Sequence, residues 1–232
     1  MTCKVFWYRC GRGHGNFGDV LTPLLLDYFN VRCEWAPAEK AGLAGIGSIC
    51  EKIPADFRGV IWSSGNLRET HRNHFPAARV VALRGKLTHE RTTCAAHGDI
   101  VLGDGGLLCN RLAPQVRKRY KLGIIPHYVD QDHEGLEHLA KSSPDICLID
   151  ICDQPRVVIR SVAQCETILS SSLHGLVLAD SLGIPNRWLQ AYGGVLGEGF
   201  KFRDYYSVYD IDCPEPLVVR ENDNLDTLLR RL

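Results

Sequence analysis

The chain has 232 residues, of which 45% are hydrophobic and 23% are charged, and its 27 basic and 27 acidic side chains cancel. This composition is typical of a globular protein, and the zero net charge argues against nucleic acid as a partner. No apolar run approaches the roughly 20 residues of a membrane helix and the N-terminus lacks an apolar signal segment, so we expect a cytoplasmic protein.

Short apolar runs alternate with helical segments along the chain, which predicts an α/β fold built on open parallel sheets. The predicted strands are Val5–Tyr8, Val60–Trp62, Val80–Leu83, Ile100–Leu102, Leu122–Ile125, Ile146–Ile151 and Thr167–Leu169, with Val157–Ile159 as a further candidate. The predicted helices are Val20–Phe29, with Leu21, Leu24, Leu25 and Tyr28 on one face, Lys86–Cys94, Leu173–Leu182 and Leu225–Leu232.

A proline and several basic residues between Asn110 and Lys121 indicate a domain boundary, which divides the chain into residues 1–112 and 113–232. The basic cluster there is interpreted as a solvated face, and peripheral contact with anionic lipid is the alternative. The ten cysteines include no C-x-x-C pair, and the histidines have no zinc-like spacing to cysteines or carboxylates. The sequence therefore predicts no disulfide framework, no metal site and no cofactor.

Glycine, small polar or charged residues follow six of the predicted strands, as in the segments Ser63–Asn66, Arg84–Gly85 and Gly103–Gly106. Ligands bind at the carboxyl edge of open α/β sheets, so these residues, including Gly65, are candidates for substrate contact. Turns between strands and helices need glycine in any case, but that requirement does not explain why Arg84, His127 and His174 all follow strands.

Arg84 ends an apolar strand and is followed by Gly85, so its guanidinium is expected to project over the sheet edge. A guanidinium can grip a carboxylate or a phosphate with two parallel hydrogen bonds. The alternative is a salt bridge to an acidic loop residue such as Asp104.

The glycine-rich segment Gly11–Gly18 lacks both the G-x-G-x-x-G pattern and the G-K-[ST] ending of phosphate-binding loops. Asp19, the predicted cap of the following helix, would also repel a phosphate. The segment is therefore assigned to hydroxyl or sugar contacts, with Asn16 and Asp19 as polar anchors.

The segment 165–186 predicts a strand, a serine turn at Ser170–Ser172 that caps a helix, and a helix that ends before Gly183 and Pro185. His174 falls in the first helical turn, where unpaired N–H groups and the helix dipole favour an anion. An imidazole beside an anion site suits proton transfer, because imidazoles titrate near neutral pH. The alternative is a histidine that only forms hydrogen bonds near the start of a helix.

Several motifs together resemble the polysaccharide pyruvyltransferase family, and most closely its branch that forms pyruvate ketals on bacterial exopolysaccharides. The motifs occur in consistent order over nearly the whole chain. They are GNFGDVLTP at 15–23, the segment Ala82–Thr88, LGDGGLL at 102–108, GIIPHYVD at 123–130, TILSSSLHGLVLADSLGIP at 167–185 and FKFRDYYS at 200–207.

The resemblance implies two Rossmann-like halves, as in glycosyltransferases of the B type. It also implies transfer of a pyruvyl group from phosphoenolpyruvate to two hydroxyls of a sugar or of a lipid-linked oligosaccharide. By position, Arg84 corresponds to a family arginine that contacts phosphoenolpyruvate, and His174 to the histidine of a family R-L-H or M-H element.

Ser172 stands where many members of the family have arginine, and Lys86, Lys201 or Arg203 are candidates to replace that cation. His127 is expected to contact phosphate or a hydroxyl. Two other functions remain open from the residues: a glycosyltransferase that uses a nucleotide sugar, and a non-catalytic subunit that binds glycan.

Overall fold

The computed structural model describes residues 2–11, 13–95, 98–190, 198–220 and 222–232; Arg12 of the predicted glycine-rich loop lies outside them. The chain forms two compact units, of which the first comprises Met1–Arg9, Gly18–Gly105 and Leu196–Cys213. The second comprises Cys10–Phe17, Gly106–Val195 and Pro214–Leu232. Each unit contains a parallel sheet, which confirms the predicted α/β fold with two Rossmann-like halves. The boundary between residues 112 and 113 stays a prediction.

The first unit is built around a six-stranded parallel sheet, whose core contains fully buried aliphatic side chains such as Val5, Ile61 and Leu83. The strands are β1 (Cys3–Phe6), β2 (Cys33–Trp35), β3 (Leu43–Ala44), β4 (Val60–Ser64), β6 (Arg79–Leu83) and β8 (Val101–Leu102), with β5 (Asn73–Phe75) and β7 (Thr92–Cys94) paired separately. The order of the six strands in the sheet is β2-β1-β3-β4-β6-β8. The helices of this unit are α1 (Phe17–Tyr28), α2 (Lys86–Glu90) and α6 (Phe200–Tyr206), with 3₁₀ turns at Ala38–Lys40, Cys50–Lys52 and Ser207–Tyr209.

The second unit is built around a five-stranded parallel sheet, and Leu122, Ile124 and Leu169 are fully buried in its core. The strands are β9 (Tyr120–Ile125), β10 (Ile146–Leu148), β11 (Cys165–Ser170), β12 (Asn186–Gln190) and β13 (Leu217–Val218). The order of the strands in the sheet is β10-β9-β11-β12-β13. The helices are α3 (Glu134–Lys141), α4 (Pro155–Ala163), α5 (Leu173–Ser181) and α7 (Leu225–Leu229), and a 3₁₀ segment runs over Gly105–Leu112.

Two of the predicted elements are wrong. Val157–Ile159 lies inside the helix α4, which begins with Pro155 and buries Val158, Ile159 and Val162 on one face. The spacing of these three residues is helical, and proline is favoured in the first turn of a helix. The predicted helix Lys86–Cys94 ends at Glu90, because Thr92–Cys94 forms a strand that pairs with Asn73–Phe75.

The helix α1 begins three residues earlier than predicted, at Phe17 instead of Val20. Asp19 is therefore not the cap of this helix but a buried residue of its first turn. Leu21 and Leu25 are buried as predicted, whereas Tyr28 at the helix end is 43% exposed.

Candidate active site

The centre of the second sheet has the topology that creates a ligand site. The chain runs from β9 to its neighbour β10 on one side, and then returns to β11 on the other side. Connections that leave in opposite directions open a crevice at the carboxyl ends of the two central strands. Residues that follow Ile125 of β9 and Ser170 of β11 therefore line the position where ligands bind in folds of this class.

The serine turn after β11 is held by hydrogen bonds of its own hydroxyls. The Ser170 Oγ donates to the carbonyl of Ile125 at 3.0 Å and accepts from the Ser172 N–H at 3.0 Å. The Ser171 Oγ donates to the Asp130 carboxylate at 2.8 Å and accepts from the His127 N–H at 2.8 Å. These bonds join the ends of β9 and β11 into one rigid edge.

The structure thus brings together three of the predicted site residues of the second unit: His127, Ser172 and His174. Ser172 is the N-cap residue of α5, but its side chain makes no capping bond, so the prediction that the serines cap this helix is wrong for Ser172. His174 is the second residue of α5 and is only 6% exposed. A buried imidazole at the start of a helix, on a rigid edge, is suited to proton transfer to a small bound ligand.

Gly175 is required by the same turn. A Cβ atom at this position would lie 2.2 Å from the Ser170 Oγ, which is far inside the van der Waals distance. Any side chain here would push the serine turn away from the helix. Because His174 directly precedes Gly175, its position would change as well.

Asn16 belongs to the second unit and lies beside the end of β10 rather than beside β9 or β11. The segment that contains Asn16 is joined to the residues after β10 by a hydrogen bond from the His14 N–H to the Cys152 carbonyl at 2.9 Å. The Asn16 N–H itself donates to the Cys10 Sγ at 3.1 Å. Asn16 therefore lies at the same carboxyl edge, but at the neighbouring strand.

In the first unit, Arg84 ends β6 and its side chain is fully buried. Its Nε donates to Asp204 at 2.8 Å, one terminal nitrogen to the Ser48 hydroxyl at 2.7 Å and the other to the Asn66 carbonyl at 2.6 Å. The predicted projection over an open edge is thus replaced by a buried network. The acidic partner is Asp204, on the helix α6, and not Asp104.

Asp204 also accepts hydrogen bonds from the backbone N–H and the hydroxyl of Thr88, both at 2.7 Å. The motifs at Ala82–Thr88 and 200–207 are therefore the two sides of one buried contact. Burial raises the pKa of the nearby Cys50 thiol, although the charge of Arg84 acts in the opposite direction, so Cys50 stays neutral there.

Two glycines make this contact possible. A Cβ atom on Gly65 would lie 2.3 Å from the Arg84 Cζ, and one on Gly85 would lie 1.8 Å from the Asp204 carbonyl oxygen. Gly65, predicted to contact substrate, is thus packed directly against the guanidinium. Its contact with substrate stays a prediction.

The other predicted cations of the first unit already have partners. Lys86 forms an exposed ion pair with Asp210, and Arg203 forms an ion pair with Glu69 at 2.9 Å. Lys201 is 5% exposed, and its Nζ lies 5.3 Å from the centre of the Phe202 ring. Whether any of them replaces the arginine absent at Ser172 stays a prediction.

The loop Gly45–Ser48, after β3, was not identified from the sequence. It lies next to the centre of the first sheet, where β1 has β2 on one side and β3 on the other. Ser48 binds Arg84, and a Cβ atom on Gly47 would lie 2.9 Å from the Asp19 carboxylate. The G-x-G-S pattern after a short apolar run was the available signal.

Comparison with known proteins identifies the family. The family model described as polysaccharide pyruvyl transferase matches residues 11–190, well over half of the chain. The chain belongs to this family. The match covers the serine turn, His174 and the Arg84 segment.

Two curated proteins are similar to this member of the family. The succinoglycan biosynthesis protein ExoV of Rhizobium meliloti (strain 1021) is 27% identical over 199 residues, which is 83% of this chain and 61% of ExoV. The uncharacterized protein L143 of Acanthamoeba polyphaga mimivirus is 36% identical over 118 residues, which is 49% of this chain and 41% of L143. The chain therefore spans less than two thirds of the length of either relative.

Within the described residues, no group of three or more histidine, cysteine, aspartate or glutamate side chains is arranged to hold a metal ion. In the same part of the chain, no helix has the length and apolar character needed to cross a membrane.

Proposed function

We propose that this member of the family transfers the pyruvyl group of phosphoenolpyruvate to two hydroxyls of one sugar, forming a pyruvate ketal and releasing phosphate. The acceptor is an exopolysaccharide or its lipid-linked repeat unit. The observation that carries the proposal is His174 in the first turn of α5, at the central crevice of the second sheet of a chain that belongs to the pyruvyl transferase family. A cytoplasmic location stays a prediction of the sequence.

The edge around His174 suits the donor. Phosphoenolpyruvate carries a phosphate and a carboxylate, and backbone N–H groups at the start of a helix bind such anions. The helix α5 begins at Leu173, directly after the serine turn. His127, whose N–H is held by Ser171, presents a second imidazole from the end of β9. We assign donor binding to this edge, with Ser172 leaving room where a larger cation stands in other members.

The reaction needs one proton delivered to carbon and two removed from oxygen. We assign to His174 the protonation of the methylene carbon of phosphoenolpyruvate, which makes C2 electrophilic. The first sugar hydroxyl adds to C2 and returns a proton to His174, and the C2–O bond to phosphate then breaks. The second hydroxyl closes the ring and gives up its proton, which leaves with the hydrogen phosphate.

In this proposal, the main role of Arg84 is to position the residues to which it forms hydrogen bonds. Its three side-chain hydrogen bonds fix Ser48, Asn66 and Asp204 at the edge of the first sheet. A guanidinium has five N–H donors, and these three bonds use three of them. Direct contact between Arg84 and phosphoenolpyruvate stays a prediction.

The test is phosphate release from phosphoenolpyruvate in the presence of a glucose- or galactose-containing oligosaccharide. His174→Ala is expected to lower the rate by roughly a hundredfold or more, the usual contribution of a general acid or base. His138→Ala is the matched control, because His138 is an exposed histidine of α3 in the same unit. Equal rates for the two variants would overturn the role of His174.

Thermal shift experiments distinguish this function from the two alternatives. Ligands that bind the folded state raise the melting temperature, so stabilisation by phosphoenolpyruvate is expected. Stabilisation by nucleotide sugars alone would favour a glycosyltransferase. Stabilisation by glycan alone, without phosphate release, would favour a non-catalytic subunit.

A further inference from the structure

A cation stacked on two tryptophans lies at the edge of the first sheet, outside the residues assigned so far. Trp35 ends the edge strand β2 and is paired in register with Val5 of β1. Its indole Nε1 donates to the carbonyl of Trp7 at 3.0 Å. The Arg9 Cζ lies 4.3 Å from the centre of the Trp35 ring and 5.5 Å from that of Trp7. We call these three residues the Trp7–Arg9–Trp35 platform.

The platform carries a positive charge that is exposed to solvent. Within the described residues, the Arg9 guanidinium contacts the two indole rings. Arg9 is exposed, and Trp35 is 37% exposed. A second cation, Lys52, lies 4.7 Å from the ring centre of Tyr8. A surface of this kind favours an anion that also has a flat apolar face.

The platform also lies where a parallel sheet binds ligands. Trp7 and Arg9 follow the carboxyl end of β1, which lies between β2 and β3. The chain leaves β1 toward β2 and returns to β3, so the crevice of the first sheet opens beside this strand.

We propose that the Trp7–Arg9–Trp35 platform binds a pyranose ring that bears a carboxylate, as part of the acceptor glycan. This inference rests on the proposed function, which supplies a glycan as the substrate. The axial C–H groups of a pyranose form an apolar face that packs on an indole ring. The guanidinium, which lies next to both indoles, can form paired hydrogen bonds with a carboxylate.

The test is isothermal titration of the chain, without phosphoenolpyruvate, with two disaccharides that differ only in a carboxylate: cellobiouronic acid and cellobiose. The acidic sugar is expected to bind at least about tenfold more tightly, since a charge-assisted pair is stronger than a neutral one. Arg9→Gln should remove this preference while cellobiose still binds. Arg79→Gln, an exposed arginine at the amino end of β6 in the same unit, is the control and should keep the preference.

Trp35→Ala should weaken binding of both sugars about tenfold, whereas Trp35→Phe, which keeps an aromatic ring, should weaken it less. Tyr28→Ala removes another exposed aromatic residue of the same unit and should change neither affinity. Equal binding of the two sugars by the unsubstituted chain, or an unchanged preference in Arg9→Gln, would overturn the inference. Binding as expected without any phosphate release would count against pyruvyl transfer and not against the platform.

Discussion

The substitution Asp204→Asn tests the buried network around Arg84. The Asp204 carboxylate accepts three hydrogen bonds, one from Arg84 and two from Thr88, and both ionic side chains are completely buried. The amide keeps the shape and one acceptor oxygen, but it leaves the Arg84 charge without a counterion. Breaking a buried ion pair by removal of one partner costs about 3–5 kcal/mol.

We therefore expect Asp204→Asn to lower the free energy of unfolding by about 3 kcal/mol, toward the lower end of that range because the amide retains hydrogen bonds. Such a loss is a large part of the roughly 5–15 kcal/mol that stabilises a typical domain. The assay is urea denaturation followed by circular dichroism, in which the midpoint should fall without a change in slope.

The matched control is Asp210→Asn, which removes the carboxylate partner of Lys86. That carboxylate is 82% exposed, and exposed pairs contribute only about 0–1 kcal/mol. If Asp204→Asn destabilised the chain no more than Asp210→Asn, the buried pair would not hold the two motifs together.

Three further predictions concern single positions. Gly175→Ala should lower the rate of phosphate release by up to about a hundredfold, as removal of the His174 imidazole does, and the free energy of unfolding by about 1–3 kcal/mol, because its Cβ would clash with Ser170; near-normal activity would show that the serine turn does not position His174. Burial of the Asp223 carboxyl opposes its ionisation, but hydrogen bonds from the Arg220 N–H and the Arg231 side chain outweigh this effect and lower its pKa. A carboxyl group with a lowered pKa adds stability above its unfolded pKa, and this stability is lost as the pH falls through its folded pKa. Asp223→Asn should therefore lower the free energy of unfolding, measured by chemical denaturation, near neutral pH but not in strong acid. Equal destabilisation at both pH values would contradict this. Burial raises the pKa of the Cys50 thiol, so mass spectrometry after treatment of the native chain with iodoacetamide should find it unmodified at mildly alkaline pH, and rapid labelling would mean that this core opens.

The sequence predicted the elements whose pattern is local. Seven of the apolar runs are strands, because each run is long enough to be buried and is followed by residues that can turn. The helix α4 also had local signals, namely Pro155 at its start and buried residues at helical spacing. The apolar run Val157–Ile159 by itself is compatible with a strand, and the residues on either side of it indicate the helix.

The network of Arg84 could not be predicted, because its partner lies 120 residues further along the chain. Both motifs were identified, but no spacing in the sequence indicates that Asp204 rather than Asp104 faces the guanidinium. The end of α2 at Glu90 has a similar cause. Thr92–Cys94 pairs with Asn73–Phe75, and this tertiary pairing determines where the helix stops.

The edge around His174 was the most predictable part of the site. The strand, the serine turn and the helix are contiguous, so their order fixed the place of the imidazole. The bonds from Ser171 to Asp130 and His127 were not predictable, because they depend on β9 and β11 being neighbours in the sheet.

Pyruvyl transfer is tested most directly by incubating the chain with phosphoenolpyruvate and an oligosaccharide acceptor, and by measuring both products in the same sample. We expect one phosphate for each acceptor that gains a pyruvate with loss of water, detected by mass spectrometry, and about a hundredfold less of both products from His174→Ala in the same time. Phosphate release without any change in the mass of the acceptor, or an unchanged yield from His174→Ala, would contradict the proposal.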